Sequence, residues 1–218
     1  MARIGIYGGS FDPVHYGHLN VANAAVEKLA LDRLVVIPAN VSPFKTAGET
    51  AAERKPVYEW CDHLEQIKAV FAAVGKCEVD DRELKRGGVS YAIDTVREIA
   101  AANPGAEIFF IIGEDSLAGL PRWKDYETLK TLCTFVPFPR TKESSTEIRE
   151  LFAAAKVELN SEARIAEVVK EGLKKKGGFC PCRLQKAPEF FCPCDEFKAQ
   201  MRDTAFHGLC HCRLYQKP

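Results

Sequence analysis

Gly8-Gly9-Ser10-Phe11-Asp12-Pro13-Val14-His15-Tyr16-Gly17-His18 is the stretch on which the reading of this 218-residue chain turns. Before it, Arg3-Ile4-Gly5-Ile6-Tyr7 is a short apolar run that predicts a strand. After it, residues 18–29 place Leu19, Ala22, Val26 and Leu29 at helical spacing. The stretch is therefore a strand–glycine turn–helix junction. Gly8 and Gly9 permit positive φ and let the backbone approach a phosphate closely. Amide groups at the start of the following helix can hold anionic oxygens. His15 and His18 lie three residues apart, so both can face one ligand and stabilise charge on a transferring phosphoryl group. No Gly-Lys-Ser/Thr follows, which excludes a P-loop. For a bare two-glycine turn, an ordinary turn with two polar histidines is the plain alternative.

Outward from this junction the same alternation continues. Strands are expected at residues 33–37, closed by Pro38, then at 77–79, 107–112 and 134–136. Helices are expected at 57–73, with Leu64, Ile67, Val70 and Phe71 inward, and at 91–102, stopped before Asn103-Pro104-Gly105. Alternating strands and helices imply an α/β fold with a doubly wound parallel sheet. Such sheets bind ligands beyond the carboxyl ends of their strands, where strand order reverses, and the glycine turn sits at such an end. After about Phe152 the pattern changes. A helix over 161–176 carries Ile165, Val168, Val169 and Leu173, with Ser161 as expected N-cap and Gly177 as stop. A compact Cys/Pro/aromatic segment follows, so we divide the chain at 1–156 and 157–218.

Composition narrows the classes. Hydrophobic residues make up 46% and charged ones 28%, the profile of a folded soluble chain. Thirty basic residues balance thirty acidic ones, so no global field draws nucleic acid or an anionic membrane. No apolar run approaches the roughly 20 residues of a membrane span. The N-terminus is too short and too quickly broken by glycine for a signal peptide, so a cytoplasmic location is expected. Six of the nine cysteines lie between Cys180 and Cys212, and in a reducing compartment such a cluster suggests metal or redox chemistry before structural disulfides.

The full eleven-residue string resembles the signature of the HxGH nucleotidyltransferase superfamily. Its Gly-Gly-Ser-Phe-Asp-Pro form is most similar to bacterial nicotinate-nucleotide adenylyltransferases. Later segments match that family in order. Residues 37–45, Ile-Pro-Ala-Asn-Val-Ser-Pro-Phe-Lys, resemble its substrate loop, with Phe44 where a histidine is usual. Ser90-Tyr91-Ala92-Ile93-Asp94-Thr95 resembles its Ser-Tyr-x-x-Asp-Thr element, with Ala92 for threonine. Gly113-Glu114-Asp115 resembles the loop whose aspartate holds the ATP ribose, although Asp115 also suits a helix cap. Trp123 falls where a tryptophan stacks on the pyridine ring; core packing is its alternative. Ser144-Ser145-Thr146-Glu147-Ile148-Arg149 matches the second phosphate motif and equally an N-cap cluster before a helix over 147–155, two readings that are compatible. Arg149 on a first helical turn opposes the dipole unless an anion binds there.

The resemblance implies transfer of the adenylyl group of ATP to nicotinate mononucleotide, releasing pyrophosphate. It places His15, His18 and Arg149 in catalytic roles. Gly8, Gly9, Ser10, Phe11, Gly113, Asp115, Ser145 and Thr146 would bind ATP, and Lys45, Ser90, Tyr91 and Trp123 the acceptor. Mg²⁺ would arrive largely held by the nucleotide. Nicotinamide mononucleotide and phosphopantetheine are alternative acceptors. A further departure from the family is one of length: only Thr141-Lys142-Glu143 separates Arg140 from Ser144, which predicts a sheet short of an edge strand.

Cys180-Pro181-Cys182, Cys192-Pro193-Cys194 and Cys210-His211-Cys212 form the second constellation. Six thiols can bind a metal cluster and leave spare thiols, and the prolines restrict the loops. A structural zinc site needs only four sulfurs, but usually spaces its cysteines as C-x₂-C. With the helix before them, the three motifs resemble the catalytic chain of ferredoxin-thioredoxin reductase. That resemblance implies a small α/loop iron–sulfur domain, with a [4Fe-4S] cluster on Cys180, Cys192, Cys194 and Cys210. It also implies a redox-active pair of Cys182 and Cys212, a proton-transfer role for His211, and a ferredoxin or thioredoxin-like partner. The spacing departs from the plant-type pattern, with nine residues between Cys182 and Cys192 and fifteen between Cys194 and Cys210. The alternative function is an inactive front domain in an iron–sulfur disulfide reductase or electron-transfer protein.

Overall fold

A computed structural model of the chain describes residues 1–44, 60–139 and 143–218. Lys45 and the start of the expected 57–73 helix lie outside the described residues, as do residues 140–142. The described chain forms two compact units. The first comprises residues 1–11, 17–44 and 74–139, the second 12–16, 60–73 and 143–218. The units thus divide the chain differently from a cut near residue 156, because three upstream pieces join the Cys-rich segment.

The first unit is built on a five-stranded parallel sheet. Its strands are β1 (Arg3–Gly9), β2 (Arg33–Pro38), β3 (Cys77–Val79), β4 (Glu107–Gly113) and β5 (Thr134–Phe138), in the order β3-β2-β1-β4-β5. Strand order reverses between β1 and β4, so their carboxyl ends, Gly8-Gly9 and Gly113, flank the switch point. The central strands read as continuous apolar runs because both faces are covered: Leu34–Ile37 are all buried. Alternate residues Ile4, Ile6, Val35, Ile37, Ile108, Phe110 and Ile112 share a core with Ile93, Val96 and Ile99 of helix α4 (Ala92–Ala102). Gly5 faces the other way. A side chain there would meet Leu31 Cδ1 at 2.5 Å and Leu34 Cδ1 at 3.0 Å, so only glycine lets these leucines close on β1. Helix α1 runs Tyr16–Lys28, two residues earlier than the periodicity indicated. Three elements of this unit were not foreseen: a short helix at Arg82–Arg86, a 3₁₀ segment at Glu114–Arg122 and the helix Tyr126–Leu132. The 3₁₀ segment contains Pro121, and neither short helix has room for a repeating apolar stripe.

The second unit collects helices. They are α2 (His63–Phe71), α6 (Ser145–Ala154), α7 (Ala163–Lys176) and α8 (Asp195–Arg202), counting Arg82–Arg86 as α3 and Tyr126–Leu132 as α5. A small antiparallel sheet accompanies them, with β8 (Tyr215–Lys217) between β6 (Glu158–Leu159) and β7 (Gly208–Leu209). Asp62 caps α2 by accepting from the Leu64 and Glu65 amides. Two expectations for α7 change. Its N-cap is Glu162, not Ser161, since Asn160 Oδ1 takes the Glu162 amide at 2.9 Å and turns the chain one residue later. The buried stripe is Ala166, Val169 and Leu173, spaced three and four apart, which leaves Val168 68% exposed. The stop at Gly177 stands as expected: it is left-handed, with φ 67°. No helix among the described residues is long and apolar enough to cross a membrane.

Candidate active site and thiol cluster

In the first unit the carboxyl ends of β1 and β4 open onto a cavity of about 570 Å³. Gly8, Gly9 and Ser10 line it from one strand end and Gly113 from the other. Ser90, Tyr91, Phe44 and Trp123 complete much of the wall. Such a volume suits a mononucleotide-sized ligand. Phe11 stands behind Gly9 at φ 46°, and its buried ring takes the His18 ring edge-on, with centroids 5.0 Å apart. His18 is thereby oriented at the first turn of α1 by an apolar wall. Asp115 is exposed and folds over Gly113. A Cβ on Gly113 would meet its carboxylate at 2.5 Å, so this glycine lets the Asp115 side chain lie across the strand end.

Trp123 is wedged edge-on against Phe110 and Phe135, at centroid distances of 5.7 and 5.9 Å. Its remaining face meets the Phe44 ring at 6.2 Å, tilted by 36°. The tryptophan is only half-buried and lines the cavity. Lys124 Nζ stands 4.3 Å over the Tyr91 ring and 3.2 Å from Asp94. The two expected acceptor segments are tied together: the Asn40 amide donates to Ser90 Oγ at 2.9 Å, and Ser90 N donates to the Val41 carbonyl. Glu83 is a wall residue that sequence reasoning missed. It is 7% exposed and accepts from Thr95 Oγ1 at 2.5 Å, and desolvation raises its carboxyl pKa. Alternating Glu83-Leu84-Lys85-Arg86 gave no hint that the glutamate turns inward.

In the second unit, residues 12–16 meet the start of α6. Ser145 Oγ donates to the Pro13 carbonyl at 2.9 Å. Arg149 donates to the Asp12 carbonyl, lies 3.8 Å from the Asp12 carboxylate and reaches Thr146 Oγ1 at 3.2 Å. The residues expected to hold phosphate thus also grip the loop that carries His15. Helix α6 begins at Ser145, two residues earlier than expected, so Arg149 is its fifth residue and lies beyond the first turn. The conflict with the helix dipole is correspondingly small. Ser144 is the N-cap residue, with no hydrogen bond from its side chain to the helix amides. His15 itself is 6% exposed, with Nδ1 3.8 Å from Glu143 Oε2.

The same unit holds the thiol cluster. Cys180, Cys192, Cys194, Cys210 and Cys212 line one small cavity with Phe197, His211 and Tyr215. Cys182 does not line it and is exposed. All nine cysteines are free thiols, so Cys182 and Cys212 stand as a dithiol. Cys212 Sγ lies 3.6 Å from Cys210 Sγ and also hydrogen-bonds Cys180, which lowers the pKa of both partners and raises its own. Desolvation pushes Cys192 and Cys194 up. Among the described residues no three His, Cys, Asp or Glu side chains are grouped as a single metal ion requires. The cavity they line holds only about 10 Å³, so the four cysteines expected to hold a cluster come near one another without forming a metal site.

A family model described as cytidylyltransferase-like matches residues 6–168. The chain belongs to the cytidylyltransferase-like family. Within it, the "Probable nicotinate-nucleotide adenylyltransferase" of Gemmatimonas aurantiaca is 34% identical over 80% of this chain and 84% of its own length. That of Shouchella clausii is 38% identical over 79% and 86%. Among solved structures, Plasmodium falciparum nicotinic acid mononucleotide adenylyltransferase complexed with NaAD superposes with a TM-score of 0.52. It covers 69% of this chain and 84% of that one; at 16% identity it speaks for the fold alone. The α/β parallel-sheet fold expected from the glycine turn is thus the family's fold. The matched span ends at residue 168, ahead of all three Cys-x-Cys motifs, so the thiol cluster draws no support from the family.

Proposed function

We propose that the chain transfers the adenylyl group of ATP to nicotinate mononucleotide, giving nicotinate adenine dinucleotide and pyrophosphate. The observation that carries this reading is the glycine–histidine junction at the switch point of a family-typical sheet, opening on an aromatic cavity. A phosphate oxygen of the mononucleotide attacks the α-phosphorus of ATP, and the bond to pyrophosphate breaks. The protein positions and neutralises; no covalent intermediate is required. Backbone amides at Gly8–Ser10 approach phosphate oxygens, and His15 and His18 stabilise the developing charge. Ser145, Thr146 and Arg149 hold the departing end, and Asp115 the ribose. Trp123, supported on two ring edges, stacks on the acceptor's pyridine, with Ser90 and Tyr91 beside it. Mg²⁺ bound to ATP would neutralise its phosphates.

The purified chain with ATP, Mg²⁺ and nicotinate mononucleotide should release pyrophosphate. A folded chain that releases none overturns the reading, and a faster reaction with nicotinamide mononucleotide or phosphopantetheine reassigns the acceptor.

A second reading concerns residues 157–218, which we propose act as a thiol-redox segment holding a [4Fe-4S] cluster. The donor set supports it: Cys180, Cys192, Cys194 and Cys210 ring one cavity, three of them at 5% exposure or less. The cluster, when bound, supplies single electrons. Of the remaining two thiols, exposed Cys182 is the one a partner protein can reach, and buried Cys212 is its resolving partner. Anaerobic purification should yield iron and sulfide in near-equal amounts; stoichiometric zinc without sulfide would reject the cluster.

A further inference from the structure

We propose that Glu143 and Lys198 are positioning residues for His15, so that a side chain from the Cys-rich segment sets the state of a transferase histidine. The inference rests on the adenylyl-transfer reading only for what His15 does, not for how it is held. His15 is buried, and the contact on its Nδ1 edge is the Glu143 carboxylate, 3.8 Å away. That separation is an ion-pair contact, not a hydrogen bond. The second carboxylate oxygen, Oε1, accepts from Lys198 Nζ at 2.6 Å. Lys198 is 9% exposed and also donates to Asp195 Oδ1 at 3.2 Å. The carboxylate is therefore divided, one oxygen toward the lysine and one toward the imidazole.

Lys198 is held firmly enough to matter. It lies on α8, whose N-cap is Cys194. The preceding residue on that helix, Phe197, is 1% exposed and stacks on Tyr215 at 5.8 Å. Arg202 ties the far end of α8 to Glu147 of α6 at 2.7 Å. The ammonium thus sits on a rigid support and orders a carboxylate at the amino end of α6. The Glu143 carboxylate faces Nδ1 and so favours the tautomer protonated there. Neither Glu143 nor Lys198 belongs to a motif.

The test uses the full chain and five proteins: wild type, Glu143→Gln, Lys198→Met, Lys198→Arg and the double variant Glu143→Gln/Lys198→Met. Loss of positioning should lower kcat roughly ten- to hundredfold with little change in KM for the mononucleotide, since the histidine acts on charge developing during transfer. Lys198→Arg should restore most of the rate, and the double variant should be no slower than the slower single variant. Nitrogen NMR of the ligand-free chain, with His15→Gln for assignment, supplies a readout independent of turnover. The His15 ring pattern should be Nδ1-protonated in wild type and Lys198→Arg, and altered in Glu143→Gln and Lys198→Met. An unchanged ring pattern in Glu143→Gln, or rate losses that multiply in the double variant, overturns the proposal. If wild type releases no pyrophosphate the adenylyl reading falls, and the ring pattern alone decides the positioning. A buried pair broken on one side can unfold the chain; the double variant and Lys198→Arg leave no lone buried charge and decide the matter if Lys198→Met does not fold.

Discussion

Replacing Phe152 by alanine tests whether α6 is welded to the Cys-rich segment. Phe152 is 1% exposed and lies in the middle of the second unit's core. Its ring meets Tyr215 edge-on at 5.3 Å and 88°, and Phe197 at 6.2 Å and 80°. Truncating a fully buried phenylalanine costs about 3–5 kcal/mol, from lost transfer energy and the cavity left behind. Two edge-to-face pairs, each worth about 0.5–1.5 kcal/mol, place this site toward the upper part of that range, near 4 kcal/mol. Phe152→Leu keeps most of the volume and should cost under about 1.5 kcal/mol. Urea titration can follow the two units separately, because the chain has two tryptophans, Trp60 in the second unit and Trp123 in the first. Trp60 is 3% exposed, so in a Trp123→Phe background its fluorescence reports the second unit. A loss below about 1 kcal/mol for Phe152→Ala would refute the idea that α6, α8 and β8 share one core.

Three further outcomes are expected. Trp123→Ala should raise KM for the mononucleotide roughly 5- to 150-fold, the equivalent of about 1–3 kcal/mol of stacking, with kcat less affected, as steady-state kinetics would show. Glu83 has a raised carboxyl pKa from desolvation, so the folded state prefers it protonated. Its contribution to stability is complete below the ordinary glutamate range and is lost as pH rises through the folded value. Glu83→Gln should therefore be more stable than wild type at pH 8 and equal to it at pH 4 by thermal unfolding, and the opposite order would contradict the assignment. Gly178→Ala should destabilise by roughly 2–4 kcal/mol in chemical denaturation, because φ is 88° and the added methyl would sit 2.8 Å from the Phe191 ring.

Much of the first unit was legible because its signals are local. The apolar runs at β1, β2 and β4 carry the sheet, and Gly8-Gly9 punctuate the strand end where ligand must approach. Gly8, Gly9, Ser10, Ser90, Tyr91, Gly113 and Trp123 were singled out by the resemblance of their segments to the family's motifs, and strand ends and loops bring them to one cavity. Glu83 and Lys198 were not legible. Each is a charged residue on a short helix whose burial depends on partners elsewhere in the chain, Thr95 in one case and Glu143 in the other. Val168 was misplaced for a simpler reason: on α7 a one-position error moves a side chain by about 100°, and valine looks as apolar outside as inside. The grouping of residues 12–16 and 60–73 with the Cys-rich segment could not be read at all, since no pattern within a window reports on a neighbour so distant in sequence.

The grip of Ser145 and Arg149 on the Asp12-Pro13 carbonyls joins residues 132 and 137 positions apart. During synthesis at about 5–20 residues per second, the glycine–histidine loop leaves the ribosome roughly 7–26 s before the helix that clasps it. Residues 60–73 wait in the same way for α7. The second unit therefore cannot finish folding until its last turn of chain is released. A nascent chain stalled ahead of Ser145 would expose an unclasped loop, and one stalled ahead of α7 an unmatched face of α2, so both stay open to aggregation and proteolysis until those helices emerge.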